Sequence, residues 1–174
     1  MKRYLLTCTA LLMAVSGWAK PPTPPPRLLE KAKVLPLALD DAFQFRKTKT
    51  YLNDPYTQKP VVTTQEMINF EKARVNYGAL TNEDRRERVG QYFTFFWRTS
   101  RQADVTVRFE YRQAKLGSYV QAREIEYPAA KGSNKTEFNI LGDDFLGEGA
   151  VTAWRAIIIE NGRIVALNQS FLWN

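Results

Sequence analysis

The sequence predicts an all-β domain, seven short strands in two packed layers, preceded by a short helix and a Pro-rich extended arm. Three observations carry this. Apolar residues recur at every second position through Gln91–Thr99 and Asp104–Arg112, the period of a strand with one dry and one wet face. Asn161-Gly162 stands between two apolar, β-rich runs, the pattern of a two-residue type I′ hairpin. Turn-forming residues divide Ala73 to Asn174 at short intervals, with no long helical period between them.

The N-terminus precedes this domain. Lys2 and Arg3 lead into an apolar run from Leu5 to Val15, and Ser16-Gly17-Trp18-Ala19 places small residues after it. That is the layout of a secretory signal. The run is about half of the ~20 residues a membrane-spanning helix needs. Residues 1–19 are therefore expected to be removed, with export of residues 20–174 to the periplasm or the extracellular space. Cys8, the one cysteine, leaves with the signal. The mature chain then has no disulfide and must be held by its core.

Formal charge is +7, unevenly spread. Residues 20–62 hold eight basic side chains against four acidic, and residues 63–174 hold fifteen against fourteen. A basic arm on a nearly neutral exported domain argues against nucleic acid as a partner. Pro21-Pro22-Thr23-Pro24-Pro25-Pro26 favours an extended polyproline conformation. Residues 27–62 show no sustained period and read as a poorly ordered linker that docks in part on the domain of residues 63–174.

Within that domain, Thr63 and Glu66 have capping-box spacing, and Met67, Phe70 and Ala73 recur at helical intervals, predicting a short helix over residues 64–72. Alternation of Ala73, Val75, Tyr77 and Ala79 predicts the first strand. Thr81 to Asp84 repeats the capping pattern and opens a charged turn. In the second strand Phe93, Phe95 and Trp97 share one face, and Tyr92, Thr94, Phe96 and Arg98 the other. In the third, Val105, Val107, Phe109 and Tyr111 oppose Asp104, Thr106, Arg108, Glu110 and Arg112. A polar strand over 119–127 ends at Pro128, residues 131–135 form a loop, and 136–141 form a short strand. The hairpin register pairs Glu160 with Arg163, Ile159 with Ile164, Ile158 with Val165, Ile157 with Ala166 and Ala156 with Leu167. Its core face carries Trp154, Ala156, Ile158, Val165, Leu167, Phe171 and Trp173.

Seven strands from Ala73 to Asn174, with Trp97, Phe109, Tyr111 and Trp154 inward, resemble an immunoglobulin or fibronectin type III sandwich over about two thirds of the mature chain. The chain departs from that pattern in lacking the inter-sheet cysteine pair and in having Phe145 where many relatives place a tyrosine. The ending Gln169-Ser170-Phe171-Leu172-Trp173 is similar to that of secreted bacterial proteins. The resemblance implies an immunoglobulin-like domain and names no activity.

The chain has no histidine, and the mature part no cysteine, so the commonest general base and the commonest nucleophile are missing and a non-enzymatic role without a cofactor is expected. Asp143, Asp144 and Glu148 are the one oxygen-ligand cluster at calcium-like spacing, set against the reading of an acidic, glycine-rich turn. Ile157, Ile159, Ile164 and Ala166 form an apolar patch on the back of the hairpin, either a partner-binding surface or a face covered by the helix or the arm. Tyr92 and Phe96 pose the same question, and Tyr119 joins them as a residue able to stack on sugar. Arg27, Lys31, Lys33, Arg46, Lys47 and Lys49 give the arm a weak, salt-dependent attraction for anionic surfaces. Asn134-Lys135-Thr136 and Asn168-Gln169-Ser170 fit the glycosylation pattern. The reading that follows is an exported binding or assembly module contacting another envelope or extracellular protein, with a carbohydrate-binding or cell-wall-associated module as the alternative.

Overall fold

The computed structural model describes residues 23–30, 32–55 and 66–173. The expected signal peptide lies outside them, as do Pro21, Pro22, Lys31, residues 56–65 and the Met67 side chain. The chain is mostly β: one antiparallel sheet of six strands, in the order β1-β4-β3-β5-β6, with β2 paired to β3 off that path. The strands are β1 (Arg27–Leu29), β2 (Phe43–Asn53), β3 (Gly90–Gln113), β4 (Gln121–Leu141), β5 (Val151–Glu160) and β6 (Arg163–Gln169). The helices are α1 (Glu66–Asn76), α2 (Asn82–Glu87) and α3 (Gly142–Glu148).

Two strands dominate. β3 has 24 residues and β4 has 21, and they pair from Gly90↔Leu141 to Tyr111↔Gln121. A straight strand would put Phe93 roughly 50 Å from Phe109, yet their ring centroids are 4.8 Å apart. The hairpin therefore folds over on itself. The corner lies where the register shifts, between Thr99 and Val105 on β3 and between Tyr127 and Gly132 on β4. Ala129 and Gly132 take positive φ there, at 51° and 66°. Bulges of this kind bend a strand and raise its twist. One layer comprises β2, residues 90–99 and residues 132–141. The other comprises β1, residues 121–127, residues 105–113, β5 and β6.

The core lies between these layers. Phe93, Phe95, Trp97, Phe109, Tyr111, Phe138 and Ile140 are almost wholly buried, with Phe109 stacked on Phe138 at 5.2 Å and Trp154 edge-on to Phe95 at 5.3 Å. Trp97 donates from Nε1 to Thr136 Oγ1 at 2.8 Å, and the Tyr127 hydroxyl shares that threonine. Buried aromatic polar atoms are thus satisfied, as burial demands.

Several expected elements differ. Residues 91–99 and 104–112 belong to one bent strand. Pro128 does not end its strand, because it falls at the corner, where pairing is already interrupted and its missing N–H costs nothing. Residues 131–135, expected as a loop, continue β4. Ala73 to Ala79, expected as the first strand, are the end of α1 and the turn after it. The period-two pattern misled because Arg74 and Asn76 also fit the polar side of a helix: Arg74 pairs with Glu71 at 2.7 Å and the Asn76 side chain donates to the Lys72 carbonyl at 2.8 Å. Within the stretch read as a linker, β2 pairs with β3 from Phe43↔Thr99 to Asn53↔Gly90. Its apolar residues are too few for a visible period, and cross-strand partners order it.

At the final hairpin, Asn161 and Gly162 take φ of 49° and 72°, as a type I′ turn requires. Glu160↔Arg163 and Ile159↔Ile164 pair as expected. The register then shifts by one, giving Ile158↔Ala166, Ile157↔Leu167 and Ala156↔Asn168. This bulge turns Leu167 outward, and Phe171, expected inside, is 92% exposed. Trp173 is buried, but on the outer side of the sheet against the guanidinium groups of Arg112 and Arg155.

Candidate functional site

The two layers have two outer faces. On the face of the β5–β6 layer, a strap of residues 32–40 runs beside β6. Ile164 donates its N–H to the Pro36 carbonyl, and the Ala38 and Asp40 amides donate to the carbonyls of Ile164 and Val165, all at 2.9–3.0 Å. Leu35 packs on Ile157, Ile159 and Ile164, which are 1%, 8% and 8% exposed. The apolar back of the hairpin thus lies under the chain's own N-terminal segment. The helix, the other cover expected for it, does not supply Phe70, which is 66% exposed on α1.

The strap end is tied by charge. Arg101 Nη2 lies 3.1 Å from Asp40 Oδ2 and 2.7 Å from Glu160 Oε2. The Ala42 amide and the Arg101 guanidinium hold the Asp40 carboxyl below its usual 3.8.

Beside the strap, the wet side of residues 105–113 is not in water. Arg108, Glu110 and Glu124 are 6%, 4% and 8% exposed. Arg108 Nε donates to Glu124 Oε1 at 2.6 Å, its Nη1 to the Lys33 carbonyl at 2.8 Å, and Arg155 Nε to Glu110 Oε2 at 3.1 Å. Alternation placed Arg108 and Glu110 on the polar face, and nothing local to them signalled that the strap would bury it. Above them lies a groove of about 600 Å³ lined by Glu30, Lys33, Arg112, Ser118, Tyr119 and Trp173 among others.

The outer face of the β2–β3 layer carries Tyr92 and Phe96. Tyr92 is buried, donates its hydroxyl to the Arg88 carbonyl at 2.8 Å, and sits 6.1 Å from the Tyr51 ring. Burial pushes its hydroxyl above the usual 10.0. Phe96 is half-buried, with the Lys49 ammonium 5.9 Å from its ring centroid. The helix α1 crosses this face, anchored at its C-terminal end, where Arg88 donates to the carbonyls of Val75 (3.2 Å) and Tyr77, and Asn76 meets Asn53. Between α1 and β2 lies a hollow of about 340 Å³ lined by Lys47, Lys49, Tyr51, Ile68, Glu71, Arg74 and Tyr92 among others. Outside it, Phe70, Tyr77 and Leu80 are 66%, 85% and 86% exposed. Phe70 lies on α1, and Tyr77 in the turn directly after it.

The acidic cluster at residues 142–149 forms the short helix α3, whose carboxylates are dispersed to separate partners. Asp143 meets Arg86 and Asp144 meets Arg123, each at 2.6 Å, while Glu148 accepts from Gln121. Among the described residues no group of three histidine, cysteine, aspartate or glutamate side chains is placed to hold a metal ion. Asn134 is buried, its amide donating to the Gly132 carbonyl, and the Asn168 amide donates to Thr48 Oγ1 at 2.8 Å. Among the described residues no helix is long and apolar enough to cross a membrane.

Comparison with known proteins adds no relative: no family model matches the chain, and neither a curated protein nor a solved structure does.

Proposed function

We propose that this chain is an exported, non-enzymatic binding or assembly module, and that it meets another envelope or extracellular protein through α1 and the adjoining face of β2. The observation that carries the reading is the exposure of three large apolar side chains, Phe70, Tyr77 and Leu80, on α1 and the segment directly after it. Exposed apolar surface of this kind is a mark of interaction sites. Lys47 and Lys49 line the hollow and form no ion pair with another described residue, so the partner is an acidic surface with an apolar centre. Such a surface gains apolar burial at its centre and electrostatic complementarity at its rim. Ile157, Ile159 and Ile164 have no place in it, being under Leu35. The proposed kinship with immunoglobulin-type domains is limited to two β layers around an aromatic interior.

The test is retention of envelope proteins on immobilised residues 20–174, compared with a Phe70→Ser, Tyr77→Ser variant and a Leu167→Ser control. The reading expects a saturable acidic partner retained by the parent and the control and lost by the double variant. Equal retention by all three would refute it. A second reading, a carbohydrate-binding or cell-wall-associated module, is favoured by Tyr119, 58% exposed at the mouth of the groove beside the strap.

A further inference from the structure

We propose that β2 takes up an extended segment of the partner as an added strand, antiparallel along Lys47–Tyr51, with acidic side chains opposite Lys47 and Lys49 and an apolar one opposite Tyr51. The inference rests on the protein-partner reading and adds how that partner is held.

Three features point to this mode. The first is an unpaired backbone. β2 bonds to β3 on one side, and from Gln44 to Tyr51 no backbone hydrogen bond joins it to any other described residue. A strand edge of this kind is a template for a further strand. The second is room. The hollow of about 340 Å³ is lined by every residue from Lys47 to Tyr51. Successive side chains of a strand point to opposite faces, so the hollow reaches from the outer face of β2 round to its edge. Ile68, Glu71 and Arg74 of α1 form the far wall. The third is charge. Lys47 and Lys49 stand at alternate positions of the outer face, opposite Phe96 and Thr94. Neither has a counter-ion among the described residues, and the Lys49 ammonium rests 5.9 Å from the Phe96 ring. The one carboxylate of the described lining, Glu71, is paired with Arg74 at 2.7 Å. Opposite charges across a strand pair stabilise it and like charges weaken it. A second copy of β2 is therefore a poor occupant, because registers centred on Thr48 or Lys49 set lysine against lysine. Acidic residues at alternate positions of an incoming strand match both ammonium groups, and an apolar side chain next in that series meets Tyr51 and Ile68, the latter 42% exposed. Antiparallel pairing is the more stable form of a strand pair.

The experiment titrates residues 20–174 with the heptapeptide Thr-Leu-Thr-Glu-Thr-Glu-Thr and follows binding by calorimetry and by amide hydrogen exchange. Its controls are the same peptide with lysine for both glutamates, and two forms N-methylated on alternate residues, of which only one keeps the amides that face β2. The inference expects the glutamate peptide to bind and to slow exchange at alternate amides between Lys47 and Tyr51. Binding should weaken by about tenfold or more for the lysine peptide, for one N-methylated form and for the Lys47→Glu, Lys49→Glu chain. That variant should bind the lysine peptide instead, which shows that it is folded. Equal binding of both N-methylated forms would mean charge attraction without strand addition, and would overturn the inference while leaving the acidic-partner reading in place. No binding of the glutamate peptide would overturn the inference as well; the partner reading would then be decided separately, by whether Phe70→Ser, Tyr77→Ser loses the retained protein.

Discussion

Gly90 sets the start of β3 through a single missing atom. Its φ is +147°, and a β-carbon there would overlap the Ile140 carbonyl oxygen across the ladder. Gly90→Ala must therefore push β3 from β4, and we expect a loss of several kcal/mol, more than the ~1 kcal/mol typical of point substitutions, read as a lower urea midpoint. Thr136 is the other decisive residue, its hydroxyl serving both the Trp97 indole and the Tyr127 hydroxyl in the core. Thr136→Val keeps the shape and leaves a buried donor without a partner, with an expected cost of about 1–3 kcal/mol by chemical denaturation. An unchanged midpoint would show that the shared hydroxyl is dispensable.

The elements separate what the sequence displays from what it conceals. Strand existence from Gln91 onward was legible, because Phe93, Phe95 and Trp97, and then Val105 to Tyr111, alternate without interruption and do point inward. The Asn161-Gly162 turn was legible because only a few residue pairs adopt its two positive φ angles. The corner was not, since whether two alternating runs are separate strands or one bent strand depends on the partner β4, whose bulge residues carry no local signal beyond Pro128 and Gly132. β2 was hidden for the same reason. Of the candidate sites, the hairpin back was visible as a patch, with cover by the helix or the arm set against partner binding; that Leu35 of the arm is what packs on it had no local signal. Leu35→Ser should expose that patch and loosen the strap, so the Ile164 amide, which donates to the Pro36 carbonyl, should exchange with solvent faster by an order of magnitude or more. Exchange as slow as in the parent would mean the backbone bonds alone hold the strap.

For the molecule as a whole, the strap joins acid to stability. Asp40 has a folded-state pKa below its unfolded value of 3.8. Its contribution is complete above the unfolded value and is lost as pH falls through the folded one. The stability difference between the parent and Asp40→Asn should therefore be constant near neutral pH and shrink below about pH 4; a difference that grows in acid would reverse the sign assigned to the Asp40–Arg101 contact. Two β layers cut from one folded-over hairpin leave two outer faces, one closed by the strap over buried charge and one crossed by α1, on which Phe70 is exposed. The most direct test of the α1 face is a photo-crosslinking residue placed at position 77 or at position 167 of the chain in its native host cell. A partner captured from position 77 and not from 167 is what the account expects. Capture from 167 alone would put the contact on the strap side and contradict it.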